Sequence, residues 1–140
     1  MKDVYVVYWS STGNTQAMAE LVAEGIDGAG GNATVVEVSG MDAAKLKDAD
    51  SFALGASAMG AEVLDDEMDA FVTKVESFAS GKTIGLFGSY DWGDGEWMRE
   101  WVTRMEGAGA KVVGGESAMA QLTPEGDAIE ACKDLGKALV

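Results

Sequence analysis

The chain has 140 residues, with 24 Asp plus Glu against 10 Lys plus Arg, no histidine and one cysteine. A net charge of -14 argues against nucleic acid and anionic membranes as partners, since both are polyanions. Without histidine there is no His triad, no His-ligated metal and no ordinary general base near neutral pH, and one cysteine excludes an internal disulfide or a CxxC pair.

Val4-Tyr5-Val6-Val7-Tyr8-Trp9 is a β-branched and aromatic run that predicts the first strand. Met18, Leu21, Val22, Gly25 and Ala29 then recur at helical spacing, and the glycines at 28, 30 and 31 end that helix. Strand two is predicted over Ala33 to Val38 and strand three over Ser51 to Ala56. Met68, Phe71, Val72, Val75 and Phe78 form a second helical stripe, and Thr83 to Gly88 a fourth strand. Trp97, Met98, Trp101, Val102 and Met105 form a third stripe. Strand five starts at Lys111 to Gly114 and resumes near Ser117 to Ala120. Pro124, the only proline, suits the first turn of a last helix whose buried face includes Ile129, Cys132, Leu135 and Leu139.

Strands alternating with helices predict an α/β protein with a mostly parallel sheet, built as a three-layer sandwich. Strands one, three and four are nearly all apolar, as a sheet covered on both faces requires. The length fits a single domain over 1–140. No stretch approaches the roughly 20 apolar residues of a membrane span. Met1-Lys2-Asp3 opens no signal-peptide pattern, so a cytoplasmic protein is expected.

In such open sheets ligands sit beyond the carboxyl ends of the strands. The loop after strand one is Ser10-Ser11-Thr12-Gly13-Asn14-Thr15, leading straight into a helix. Backbone N–H groups, the helix dipole and the hydroxyls make it a candidate anion site, against the plainer reading of a Ser/Thr helix cap. It holds no Lys or Arg, so it is not a Walker loop. The loop after strand three is Ser57-Ala58-Met59-Gly60-Ala61-Glu62, and the one after strand four runs from Ser89-Tyr90-Asp91-Trp92-Gly93 to Glu96. Met59 and Trp92 are large apolar groups in polar, Gly-rich loops; they fold back on the core or form a slot for a planar ring.

Ser10-x-Thr12-Gly13-x-Thr15, Ala58-Met59-Gly60-x-Glu62 and Gly88-Ser89-Tyr90-x-Trp92-Gly93-x-Gly95-Glu96-Trp97-Met98, in that order on those strands, resemble the three flavin loops of the flavodoxin family, in its short-chain, clostridial-type branch. The resemblance covers the whole chain. Only Gly115-Glu116 separates the halves of strand five, too short for the insertion of long-chain members. The resemblance implies strand order 2-1-3-4-5 and non-covalently bound FMN. Its phosphate would lie on Ser10, Ser11, Thr12, Gly13, Asn14 and Thr15. Its ring would lie between Trp92 and Met59, with Glu62 accepting from ring N3–H and the peptide at Gly60 turning over on one-electron reduction. Ser57, Ala58 and Ala61, and Ser89, Tyr90, Asp91 and Gly93, complete the implied cofactor contacts. Ala61 and Val63 stand where some relatives carry polar or acidic residues.

The implied function is a low-potential one-electron carrier working the semiquinone/hydroquinone couple, a monomer serving redox partners such as ferredoxin-type reductases and oxidoreductases. Glu62, Asp65, Asp66, Glu67 and Asp69 form an acidic run with no base until Lys74, and Asp91, Asp94 and Glu96 add to the facing lip. Acids also favour helix starts, which explains part of that run. Beside a flavin they would oppose an added electron and steer basic patches of partners. The competing reading is an FMN-dependent enzyme, such as a quinone reductase of related fold, but no extra loop is present to build a substrate shelf. A receiver-like signalling module would need acids at the end of strand one and an Asp closing strand three. The chain has Trp9-Ser10 and Ala56-Ser57 there. Gly28-Ala29-Gly30-Gly31 does not follow a strand and is no dinucleotide fingerprint. Cys132 sits on an apolar stripe and is read as structural.

Overall fold

Side chains alternate along a strand, and that alternation sorts the core into two layers. In β1 (Asp3–Tyr8), Val4, Val6 and Tyr8 are buried on one face, while Val7 is buried and Tyr5 packs on the other. The same split divides β3 (Ser51–Ser57) and β4 (Thr83–Tyr90): Ala53 and Phe87 point one way, Phe52, Leu54, Ala56, Ile84 and Leu86 the other. The first face is covered by α1 (Asn14–Gly28) and α4 (Asp127–Ala138), through Met18, Val22, Ile26, Cys132 and Leu135. The second is covered by α2 (Asp66–Glu76) and α3 (Glu96–Gly107), through Met68, Phe71, Val72, Trp97, Trp101 and Met105. This is the three-layer α/β sandwich the apolar strands predict. The computed structural model describes residues 3–9, 13–57, 65–90, 96–113, 119–121 and 126–140, with main chain only at 120 and 121.

All pairings are parallel, in the order β2-β1-β3-β4-β5, with β2 spanning Asn32–Glu37. β5 (Lys111–Val113) pairs with Thr83 to Gly85, and β6 (Met119–Gln121) with Gly88 to Tyr90. The two segments therefore share one edge of β4, as a fifth strand in two halves. β2 is an edge strand, and Val35 on it is exposed. From β2 the chain reaches β3 through two 3-10 turns, Val38–Gly40 and Ala43–Asp48, which bury Val38, Ala43 and Leu46 against the α2/α3 layer.

Several boundaries differ from the sequence expectation. Val38 leaves strand two to open the first 3-10 turn. Ser89 and Tyr90 belong to β4 rather than to a loop, because pairing on both sides (Ser57 with Ser89, Gln121 with Tyr90) carries the strand past its apolar run. Ala29 lies beyond α1 and is exposed, while Ile26 takes the buried position. Phe78 lies past the end of α2. The last helix begins at Asp127, so its first turn does not contain Pro124, which lies outside the described residues.

Cys132 is fully buried, and burial pushes its thiol up to about 12. Reactivity needs the thiolate, so the structural reading of this residue holds.

Candidate functional site

The connection after β1 leaves through α1 on one face of the sheet, and the one after β3 leaves through α2 on the other. Between β1 and β3 the chain direction therefore diverges and opens a crevice at the strand ends. Such crevices are where open α/β sheets bind ligands, and flavodoxins are among the folds that exemplify the rule. Trp9 N–H donates to Gly55 O at 2.9 Å, which ties the end of β1 to β3 at the floor of the crevice.

Gly13 begins α1 with φ of +93°, a left-handed conformation that only glycine adopts cheaply. Its carbonyl accepts from Ala17 N–H at 3.0 Å. Among the described residues no side chain caps α1, and its first turn holds no acid. By contrast α2 is capped by Asp65, which accepts from Met68 N–H at 2.9 Å, and carries Asp66, Glu67 and Asp69 in its first turn. Among the described residues the positive end of α1 thus carries no acidic side chain, while that of α2 is already answered by four.

Thr15, one residue into α1, has no exposed surface, and Ser57, the last residue of β3, is 6% exposed. Their hydroxyls lie 2.7 Å apart. The alternation explains the meeting: Ser57 follows Ala53 and Gly55 on the α1 side of the sheet. Ser89, aligned with Ser57 across the ladder, is also buried. Each of the three loops singled out in the sequence therefore starts or ends on a buried hydroxyl in one row. Of the predicted contacts, Gly13, Asn14, Thr15, Ser57, Ser89 and Tyr90 are brought to this end of the sheet. Ser10, Ser11, Thr12, the segment Ala58, Met59, Gly60, Ala61 and Glu62, and Asp91, Trp92 and Gly93 lie outside the described residues. The Thr15–Ser57 bond was not legible in advance, since it joins residues 42 apart in the chain.

A hydroxyl pair holds two protons, and one mutual bond uses one of them. The second proton is buried and needs an acceptor. Together with the acid-free first turn of α1 and the absence of Lys or Arg from 10–15, this donor set fits a phosphate group bound by backbone and hydroxyls alone.

The acidic run is not uniform in space. Asp69 pairs with Arg104 of α3 at 2.7 Å, and Arg104 also reaches Glu76 and Thr73. Burial lowers the pKa of this guanidinium, but its hydrogen bonds and charge pairing with Glu76 and Asp69 outweigh that and hold it above the usual value. Asp65 is 5% exposed, with one carboxylate oxygen unpartnered. Its pKa is raised, because burial outweighs the backbone hydrogen bonds at Met68 and Glu67 that favour its charged form. Asp66 and Glu67 stay exposed. A surface depression of about 490 Å³ lies elsewhere, on the outer face of α3 by Glu96, Arg99 and Thr103.

A raised folded-state pKa means the ionised Asp65 is disfavoured by folding, so its contribution is lost as pH climbs above the ordinary carboxylate value of 3.8. Asn caps a helix as well as Asp. Asp65→Asn is therefore expected to be more stable than the parent at neutral pH, with the gap closing on acidification. Urea titrations of both proteins at several pH values check the sign; a gap that widens towards acid would contradict it.

The flavodoxin family model matches residues 6–136. A flavodoxin of Clostridium beijerinckii is 43% identical over 133 residues, covering 94% of this chain and 95% of that one. The chain belongs to the flavodoxin family. A flavodoxin of Megasphaera elsdenii is 40% identical over 136 residues, covering 96% of each chain. The solution structure of that organism's two-electron reduced flavodoxin superposes with a TM-score of 0.85, at 38% identity and 97% coverage of both chains. The resemblance read from the three loops thus holds over nearly the full length, and the strand order it implied is the order observed. As a flavodoxin the chain is a flavin-binding electron carrier. Among the described residues no helix is long and apolar enough to cross a membrane.

Proposed function

We propose that the chain binds FMN non-covalently and carries single low-potential electrons between redox enzymes, without converting a substrate of its own. The observation that carries this reading is the buried Thr15–Ser57 hydroxyl pair beside the acid-free first turn of α1. It suits a phosphate monoester that is held and not transferred. When bound, FMN supplies the one-electron chemistry for which the side chains have no group. The whole chain, 1–140, serves as one flavin domain.

The residues from Ser10 to Thr15 hold the phosphate with backbone and hydroxyl donors. Trp92 and Met59 cover the ring, and Glu62 accepts a hydrogen bond at its edge. Gly60 supplies the glycine that a turn with positive φ requires. Asp66 and Glu67, exposed at the start of α2, add negative charge that disfavours further electrons on the flavin and attracts basic partner surfaces. Asp69 adds less, since Arg104 neutralises it. The partners are basic redox proteins such as ferredoxin-type reductases, met in the cytoplasm by the monomer.

The visible spectrum of the purified protein tests this. A yellow protein that releases FMN on denaturation and turns blue on partial dithionite reduction is the expected result. Steady NAD(P)H oxidation without a separate reductase would instead favour an FMN-dependent enzyme. Trp92→Ala is expected to weaken FMN binding by roughly 1–3 kcal/mol, the range of aromatic stacking on a base. Fluorescence titration of the apoprotein measures it, and an unchanged affinity would remove Trp92 from the stacking role.

A further inference from the structure

We propose that the open edge of β2 is a strand-addition site for an extended, basic segment of a partner protein. The site lies on the far side of β1 from the crevice between β1 and β3, and it does not depend on what that crevice holds.

Among the described residues β2 pairs only with β1, in unbroken register from Asn32 to Glu37. Its other side is an edge of main-chain groups, a template for another strand. Sequences that guard such an edge place lysine, proline or a bulge on it. Asn32 to Glu37 holds none of these. One group on the edge is already answered, since Ala33 N–H donates to Asp27 Oδ1 at 3.1 Å. In a parallel ladder successive residues face opposite ways, so Val35 turns its N–H and C=O towards the same open edge.

The side chains mark the same place. Val35 and Val140 are the exposed large hydrophobics among the described residues. Val140 lies over Gly31, which leads into β2; a Cβ on Gly31 would stand 3.0 Å from its Cγ2. Val35 aligns with Val6 and so faces the α1/α4 side of the sheet, the side from which Val140 follows α4.

Charge selects the occupant. From Asp3 to Ala44 the chain has the acids Asp3, Glu20, Glu24, Asp27, Glu37 and Asp42, and no Lys or Arg. This stretch comprises β1, α1 and β2, so the elements that build the edge bring acids alone. Asp3 accepts from Asn32 Nδ2 at 2.9 Å at the start of the strand, Asp27 holds Ala33, and Glu37 closes it. Lys137, whose carbonyl accepts from Val140 N–H, is offset by Asp134 at 4.0 Å. A second copy of the chain would set these acids against their own kind. A segment with a β-branched residue for Val35 and a base at each end meets main chain, apolar side chain and charge together. Such a partner holds the protein by its sheet edge and leaves the crevice at the strand ends open.

Amide chemical-shift mapping by NMR on the full chain tests this. The probe is a short capped peptide of alternating valine and threonine with a lysine at each end. Shifts centred on Asn32 to Glu37 and Val140 are expected. Replacing the terminal lysines by glutamates should weaken binding about tenfold. N-methylating the peptide amides should abolish it, because the ladder bonds go. Val35→Lys, which adds a guarding lysine at an exposed position, should also abolish binding and leave the urea midpoint unchanged. Asp27→Asn keeps an acceptor for Ala33 N–H and removes a charge, so it should weaken the lysine peptide only. Shifts confined to Asp66 and Glu67 at the start of α2 would show the peptide reading exposed acids alone and overturn the proposal. Equal binding of the N-methylated peptide would rule out strand addition. A concentration-dependent dimer by sedimentation, with shifts at β2 in the absence of peptide, would give the edge to a second copy and defeat the proposal. So would a lysine peptide that does not bind.

Discussion

Gly136→Ala is expected to destabilise the protein by about 3 kcal/mol, the upper part of the range for overpacking a close contact. The ordinary expectation has the opposite sign, since alanine in a helix is favoured over glycine by roughly 1 kcal/mol. The inversion comes from how α4 crosses α1. A Cβ on Gly136 would stand 2.1 Å from Val22 O and 2.8 Å from Ile26 N, and one on Gly25 would stand 2.0 Å from Lys133 O. These are backbone atoms of the facing helix, which no rotamer change can move. The two helices touch main chain to main chain, and a methyl group must push them apart. Separation would strip contacts from Met18, Val22, Cys132 and Leu135 at once. Gly107→Ala supplies the reference: it lies in the last turn of a helix as Gly136 does, but nothing lies within 4 Å of the added carbon. That variant should be neutral or slightly stabilised. Urea denaturation of the two variants beside the parent decides the matter, and equal midpoints would show that the crossing can relax.

Gly88→Ala is expected to cost a similar amount, about 3 kcal/mol, and to weaken FMN binding as well. Its Cβ would lie 2.1 Å from Ala56 O and 2.3 Å from Cη2 of Trp97. The first is the backbone of β3, held in register with β4 by the ladder from Ser51 to Ser57. The second is a buried indole packed in a tilted pair with Trp101, ring centroids 6.2 Å apart. Trp97 is the second residue of α3, so its seat on Gly88 sets where that helix starts over the sheet. Displacing it shifts the start of α3, and if Trp92 stacks on the flavin ring as proposed, the loss falls on the ring end and not on the phosphate end. FMN and riboflavin, which lacks the phosphate, should therefore lose affinity alike. Gly85→Ala is the milder comparison on the same strand, because its Cβ would meet only Leu135 side-chain atoms, the nearest at 2.8 Å. Loss of stability without any loss of riboflavin affinity would show that Trp97 does not govern the ring end.

Much of this was legible beforehand because the responsible signals are local. The runs at Val4 to Trp9 and Thr83 to Gly88 predict buried parallel strands, since both faces of such strands are apolar. The stripe from Met68 to Val75 predicts a helix with one buried face. The hydroxyl-rich segment at Ser10 to Thr15 predicts an anion site because its donors are consecutive in the chain. Strand ends were harder. Ser89 and Tyr90 read as loop because they are polar, yet pairing with β3 and β6 holds them in the sheet. Val38 read as strand because it is β-branched, yet it is buried as the first residue of a 3-10 turn. In both cases a neighbour distant in the chain overrode the local preference.

Composition and pattern alone determined that this protein is an acidic α/β sandwich whose side chains offer no histidine, disulfide or cysteine-pair chemistry, and its three loop motifs pointed to a flavin family. Only the tertiary structure decided which acids act as charges. The consecutive run from Asp65 to Asp69 separates into a buried cap with a raised pKa, two exposed carboxylates and one held by Arg104. It also decided that Thr15 and Ser57 share a bond, and that Gly25, Gly88 and Gly136 are places where backbone or a buried ring comes too close for a methyl group. The physical reason is the same throughout. Charge, hydrogen bonding and steric clearance depend on separation in space, and a linear chain specifies separation only between near neighbours.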